Sequence, residues 1–485
     1  MLRSLLIMSF LTVASSAEAE SSQPNVLLLY LDNVGYGDLG CYGNKVARTP
    51  HIDRLAADGV RFTQWYCGSP SCSPSRGALL TGRHPERNGL NYQLLPEENL
   101  RGIGLPHSEK ILPQYLKPLG YATACFGKWN IGFAPGSRPT ERGFDEFLGH
   151  ASGNIHYYKH LYHKQNDLRR GTEPVDLMGK YSTDLFADAA IDFIERNRGG
   201  PWFVYLPFNA VHFVSDVNCE AGERPDWQAP SEAYEKAGFK PDDPDPRHRF
   251  LAVLSALDTA VGRVLQKVDD AGLRERTLVL CISDNGAFML PGRGDVEQSN
   301  KPLRDGGVTV YEGGLRVPAI IRWPGVVAFG TTCNTMLSSM DVVPSVVAAA
   351  GGTLPRDRLF DGRDARLAWQ HMMVTPEKSE ALWGHRGGTP HAKLWWVWGE
   401  QTAIRLHDWK MVLLRPDGRE ELYELASDLG EQRNESFGDR DVPYNPQELI
   451  KSPGLRMSTK LQRLLSSERR AIQDDPTRSP SAREK

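Results

Sequence analysis

Four short apolar runs, each closed by polar residues, constrain this fold more than any other feature of the chain. Residues 26–31 (VLLLYL) are apolar throughout, as in a strand buried on both faces, and Asp32-Asn33 follows at once. Residues 121–126 lead into Gly127-Lys128, residues 202–206 into a loop carrying His212, and residues 278–282 into Asp284-Asn285-Gly286. Amphipathic helices are expected at residues 183–196, with Asp184 near the start, and at residues 250–271. Strand and helix signals alternating in this way predict a doubly wound α/β sheet. Such sheets bind ligands beyond the carboxyl ends of their strands. One polar residue after a strand means little; four endings that supply Asp, Asn, Lys and His point to a shared pocket.

The character changes near residue 376. Leu394-Trp395-Trp396-Val397-Trp398 and residues 409–414, separated by turn residues such as Arg415-Pro416-Asp417-Gly418, predict a smaller antiparallel β-sheet packed on the main domain. The expected division is a leader over residues 1–19, a main domain over 20–375, an antiparallel subdomain over 376–450 and a charged, partly disordered tail over 451–485.

Arg3, an apolar run over residues 5–13 and a small-x-small site at Ala17-Glu18-Ala19 predict a cleaved signal peptide, and hence a secreted or periplasmic protein. That run is too short to be a membrane span, and no other stretch approaches the needed length. Seven cysteines is an odd number for an oxidising compartment, so diverting one to other chemistry would leave six able to pair. Cys125 and Cys281, in apolar strand-like runs, read instead as buried free thiols. The balance of 57 Lys+Arg against 60 Asp+Glu gives no reason to expect nucleic acid or an anionic membrane as a partner.

The run Cys72-Ser73-Pro74-Ser75-Arg76, followed by Leu80-Thr81-Gly82-Arg83, is the sharpest local signal. It stands beside Pro24-Asn25-Val26, Gly35-Tyr36-Gly37-Asp38-Leu39-Gly40 and Thr49-Pro50-His51-Ile52-Asp53-Arg54-Leu55. Further on come Gly127-Lys128-Trp129, Pro207-Phe208-Asn209 with His212, Asp284-Asn285-Gly286 and Tyr311-Glu312-Gly313-Gly314. Together these resemble the type I sulfatases of the alkaline-phosphatase-like superfamily, from residue 24 to about residue 434. The resemblance implies a large mixed, mainly parallel sheet flanked by helices. It implies that a maturation enzyme oxidises Cys72 to formylglycine (3-oxoalanine). It also implies that Arg76 holds the hydrated aldehyde, that Lys128 contacts sulfate, and that His212 protonates the leaving oxygen.

Elementary chemistry agrees with these residue types. A sulfate monoester is an anion, so attack on sulfur needs neutralising charge and a strong nucleophile. A hydrated aldehyde offers two hydroxyls on one carbon, one to attack and one to collapse and expel sulfate; a serine could do only the first half. Cys72 precedes Pro74 and a helix-compatible run, residues 75–80, so it is expected at a helix N-terminus, where backbone N–H groups favour an anion. Asp32, Asn33, Asp284 and Asn285 offer oxygen ligands from two strand ends, which suits a hard cation such as Ca²⁺. Each of them alone would read as a turn or cap residue.

Three positions depart from the family pattern. Asn33 stands where two adjacent aspartates are common, Asn130 where Gly-Lys-Trp-His has its histidine, and Gly307 where a lysine precedes the aromatic-Glu-Gly-Gly motif. Lys301 or Arg304, on the same loop as Gly307, is expected to supply the missing cation. His51, His84, Asn154 and His156 are weaker candidates for substrate contact. The expected activity is hydrolysis of a sulfate ester on a carbohydrate. The alternatives are a degenerate sulfatase that binds sulfated glycans without turnover, and a phosphoesterase, which the cysteine context disfavours.

Overall fold

The computed structural model describes residues 23–95, 98, 102–223, 225–289, 298–372, 374–414, 418–436 and 453–481. The signal peptide expected over residues 1–19 lies outside the described residues.

The main sheet has ten strands: β1 (Asn25–Leu31), β2 (Val60–Phe62), β3 (Ala122–Lys128), β4 (Glu146–His150), β5 (Leu168–Arg170), β6 (Glu173–Pro174), β7 (Trp202–Pro207), β8 (Thr277–Ser283), β9 (Ala319–Arg322) and β10 (Thr331–Cys333). Their spatial order is β10-β2-β9-β8-β1-β7-β3-β4-β5-β6. The central strands β8, β1, β7, β3 and β4 run parallel. Antiparallel partners flank them, with β9 on β8 and β5 on β4. All four apolar runs read from the sequence are central strands, so their polar endings lie along one edge of the sheet.

Every residue of β1 is buried, which explains its unbroken apolarity: helices cover both faces of a parallel sheet. Side-chain alternation divides the core in two. Leu28, Tyr30, Tyr205 and Leu280 face one cluster with Leu79 and Leu80 of α2 (Cys72–Thr81), the helix that follows α1 (Pro50–Ala57). Leu27, Leu29 and Val204 face the other, with Phe186 and Phe193 of α3 (Ser182–Arg196) and Leu254 and Leu257 of α4 (Pro246–Asp270). Helix α4 begins four residues before its apolar periodicity does, because the Asp245 side chain accepts from Arg247 N and Pro246 fits the first helical position.

The expected second sheet is a four-stranded antiparallel meander over Lys393–Trp398, Gln401–Leu406, Trp409–Leu414 and Arg419–Glu424. One face, with Trp396, Ala403 and Val412, joins the main core. Residues Pro376–Trp383, at the expected start of this subdomain, form a helix instead. Much of the charged tail is ordered. Residues Pro453–Gln473 form a helix (α5) whose Leu461, Leu465 and Ile472 cover Trp395, Ile404, Met411 and Leu422 on the sheet's other face. Sparse apolar positions at helical spacing were enough to order it, despite the high charge. Residues 474–481 then return to the main domain, where Arg87 pairs with Asp475 and Ser479 N donates to Arg87 O. No helix among the described residues is long and apolar enough to cross a membrane. All seven cysteines are free thiols, Cys125 and Cys281 among the buried ones.

Candidate active site

Strands β1 and β8 are neighbours with Leu31 in register with Ser283, so Asp32-Asn33 and Asp284-Asn285 emerge side by side. All four side chains are buried. Asn33 N donates to Asp284 Oδ1 at 3.0 Å, and Asn285 Nδ2 donates to Asn33 Oδ1 at 2.7 Å. Asn285 Oδ1 is buried with no donor facing it among the described residues. Burial pushes the Asp284 carboxyl up, and the nearby Asp32 charge pushes it further. Two buried carboxylates beside an acceptor-only amide oxygen form a donor set that fits a hard cation. Asn33 takes a left-handed backbone (φ 61°), which asparagine tolerates better than most residues.

Cys72 is the first residue of α2, and Ser71 before it is extended. Its Sγ lies 3.7 Å from Asp32 Oδ1 and 3.9 Å from Asn33 Oδ1. Arg76, one turn along the same helix, donates from Nη2 to Asp284 Oδ2 at 2.6 Å and from Nη1 to Lys128 O at 3.2 Å. Its guanidinium also lies 3.6 Å from Asp32 Oδ1. Burial alone would lower the Arg76 pKa, but the Asp284 carboxylate reverses this and holds the group firmly charged. Lys128, at the end of β3, donates to Asp32 Oδ2 at 2.7 Å with both side chains fully buried. Each carboxylate thus has one oxygen on a basic side chain and the other toward Cys72 or Asn33.

His212 follows β7. One of its ring nitrogens lies within 4.8 Å of both Cys72 Sγ and an Asp32 carboxylate oxygen. Nδ1 is 2.8 Å from Phe213 O; a carbonyl can only accept, so Nδ1 carries the proton and Nε2 keeps its lone pair. Burial, then the Lys128 charge, pushes the pKa down to about 3. His212 is therefore a neutral acceptor, and donating a proton to a leaving group would require it first to gain one.

Cys72, Arg76, Lys128, His212 and the four oxygen-bearing residues come together as the sequence suggests. The weaker candidates mostly do not. Arg304, expected to reach sulfate, instead donates to Tyr423 Oη at 2.7 Å and Glu431 O at 2.9 Å, with its guanidinium 3.9 Å from the centre of the Tyr311 ring. Lys301 is exposed on the wall of a cleft of ≈ 890 Å³ shared with Lys45 and Arg247. His51, on the helix Pro50–Ala57, packs on Gly262 of α4. His84 stacks on Trp395 with ring centroids 4.1 Å apart, and both its nitrogens meet backbone groups. His156 is occupied by Gln228 and by the backbone N–H groups of Tyr158 and Lys159. Asn154 alone of this group touches the centre, with Nδ2 3.3 Å from His212 Nδ1.

The departures have structural counterparts. Asn130 Nδ2 is buried without a partner among the described residues. A Cβ on Gly307 would lie 2.0 Å from Cδ1 of Phe288, whose ring centroid is 6.1 Å from that of His212; an aromatic ring fills the space the missing lysine would need. The Glu-Gly-Gly motif serves packing: Glu312 binds Tyr66 Oη at 2.6 Å and Lys410 Nζ at 3.0 Å. A Cβ on Gly286 would fall 1.7 Å from Gly313 O, so two motifs meet where only glycine fits. The sequence reading missed His150, the buried last residue of β4 beside Lys128; no local motif marks it, and only strand register brings it here.

The family model described as Sulfatase matches residues 24–352. The chain belongs to the sulfatase family. It is 33% identical over 419 residues to human N-acetylgalactosamine-6-sulfatase, covering 79% of this chain and 73% of that one. It is 35% identical over 385 residues to human arylsulfatase A, covering 73% and 69%. Among solved structures, Ps i-CgsB in complex with k-i-k-neocarrahexaose aligns with TM-score 0.77 and 25% identity, covering 95% of each chain. Its relatives are sulfatases, and so is this enzyme.

Proposed function

We propose that this sulfatase removes sulfate from a sulfated carbohydrate, using a formylglycine made from Cys72 and a calcium ion held by Asp32, Asn33, Asp284 and Asn285. The observation that carries this reading is the position of Cys72: it opens a helix, one turn from Arg76, with its sulfur 3.7 Å from Asp32 Oδ1. A hydrated aldehyde at position 72 would supply one hydroxyl to attack sulfur and a second to expel sulfate, and a calcium held by Asp32, Asn33, Asp284 and Asn285 would supply positive charge for the sulfate oxygens. Arg76, fixed by Asp284, holds residue 72 in place. Lys128 and the N–H groups opening α2 neutralise the sulfate. The His212 lone pair takes a proton from residue 72 and can then return it to the leaving oxygen. The carbohydrate class is supported by the N-acetylgalactosamine-6-sulfatase relatives and by the structural neighbour bound to a carrageenan-type oligosaccharide. We read residues 1–19 as a signal peptide that sends the chain out of the cytoplasm.

Peptide mass spectrometry of protein co-produced with a formylglycine-generating enzyme tests this. The aldehyde is expected at position 72, with sulfate release from sulfated galactose or N-acetylgalactosamine saccharides. An unmodified thiol under those conditions would sink the proposal. The aldehyde without turnover on any sulfated sugar would favour the second reading, a glycan-binding sulfatase homologue, which Asn130 and the filled space at Gly307 motivate.

A further inference from the structure

We propose that His150 is a positioning residue that anchors the Lys128 ammonium in the sulfate subsite. The proposal rests on the sulfatase reading of Cys72, Lys128 and His212. Strands β3 and β4 pair in parallel with Lys128 in register with His150, so both side chains leave the same face of the sheet at its ligand-binding edge. Both are fully buried. The Lys128 ammonium has three donors, and Asp32 Oδ2 is its one hydrogen-bond acceptor among the described residues. The Ser152 backbone accepts from the His150 ring and raises its pKa, and neither ring nitrogen has a closer partner among the described residues. Burial, then the charges of Lys128 and Arg76, keep the ring neutral. A neutral imidazole offers one N–H and one lone pair.

Two buried, under-satisfied groups of complementary kind on neighbouring strands are unfavourable unless each serves the other or a ligand. An apolar residue at position 150 could pack against Phe186, whose ring centroid is 6.2 Å away, without that penalty. Asp32 is also a cation ligand on this reading, and a lysine held by Asp32 alone would be tied to that carboxylate. A shift of the Lys128 side chain toward β4 would make the His150 lone pair a second, uncharged anchor, leaving its remaining donor for a sulfate oxygen. The chain lacks the histidine that follows Gly-Lys-Trp in the family pattern and has this one on the next strand.

The test compares wild type, His150→Leu, His150→Met, His150→Gln, Lys128→Ala and the double variant Lys128→Ala/His150→Leu as matured, calcium-loaded protein. Inorganic sulfate is the probe, by titration calorimetry and as an inhibitor of aryl sulfate hydrolysis. His150→Leu and His150→Met should weaken sulfate binding and raise KM about tenfold, with little change in kcat and an equal or higher melting temperature. His150→Gln, which keeps an acceptor, should recover most of the affinity. In the Lys128→Ala background the leucine should have no further effect. Unchanged sulfate affinity in both apolar variants, an equal loss without Lys128, or a wild type that does not bind sulfate would each overturn the proposal. Should wild type bind sulfate with this coupling yet hydrolyse nothing, the turnover reading fails and the role of His150 stands.

Discussion

The ring of Phe288 occupies the space any side chain on Gly307 would need, with Cδ1 2.0 Å from where a Cβ would stand. Restoring the family lysine there should therefore fail on packing before chemistry. Gly307→Lys is expected to destabilise the enzyme by about 1–3 kcal/mol through overpacking. Adding Phe288→Ala should return much of that loss, a non-additivity readable by urea denaturation of the four proteins. Strictly additive effects would mean that the two positions do not compete for space.

Lys410 lies fully buried between Glu312, at 3.0 Å, and Glu431, at 2.9 Å. It joins the C-terminal sheet to the short helix Glu312–Leu315. Lys410→Met should cost about 3–5 kcal/mol, because it leaves the buried Glu431 carboxylate without a counter-charge and Glu312 with Arg316 at 3.5 Å. Guanidinium denaturation measures this. A loss below about 1 kcal/mol would show that the junction is wetter than the structure indicates.

Asp258 on α4 accepts from His51 N at 3.2 Å and Ile52 N at 2.8 Å, capping the first helix from across the core. Burial pushes its pKa up to about 7, against the lowering effect of those N–H groups. An acid whose folded pKa is raised binds its proton more tightly when folded. Its contribution to stability is thus present in acid and is lost as pH rises from about 4 to 7. Asp258→Asn should flatten the fall in stability between pH 5 and pH 8 by on the order of 2 kcal/mol. Parallel stability–pH curves for variant and wild type would contradict this.

The donor set at Asp32, Asn33, Asp284 and Asn285 predicts a calcium-dependent melting temperature. Chelation should lower it, and readdition at about 100 times Kd should return about 2.7 kcal/mol. Asp284→Ala should abolish the response. A melting curve indifferent to both chelator and calcium would argue against a cation here.

Arg87 pairs with Asp361 and with Asp475 of the returning C-terminal segment, and Arg83 donates to Thr477 O at 2.6 Å. Both arginines follow the helix that Cys72 opens. Truncation after Gln473 should lower the melting temperature and reduce kcat more than it raises KM, because it loosens the helix that carries Cys72 and Arg76 and not the substrate contacts. Unchanged kinetics would confine the segment to a surface role.

Much of the centre was legible because its residues sit in local motifs with a local cause. A helix start places Cys72 and Arg76 one turn apart, and unbroken apolar runs reveal buried strands whose next residues must face the ligand edge. Position along the chain could not sort the histidines. His51, His84 and His156 lie in loops or at helix starts much as His212 does, and only packing shows that Gly262, Trp395 and Gln228 occupy them. Arg304 likewise is placed only by tertiary contacts, with Tyr423 of the C-terminal sheet and the Glu431 carbonyl beyond it.

The sequence by itself determined the central parallel strands and the sulfatase motifs, Cys72 among them, because each depends on residue type and short-range spacing. Tertiary structure alone decided three things. It turned the charged tail into a covering helix, gave the space at Gly307 to Phe288, and set His150 beside Lys128. These outcomes depend on which distant segments touch, and strand register and side-chain volume decide that only once the chain has folded.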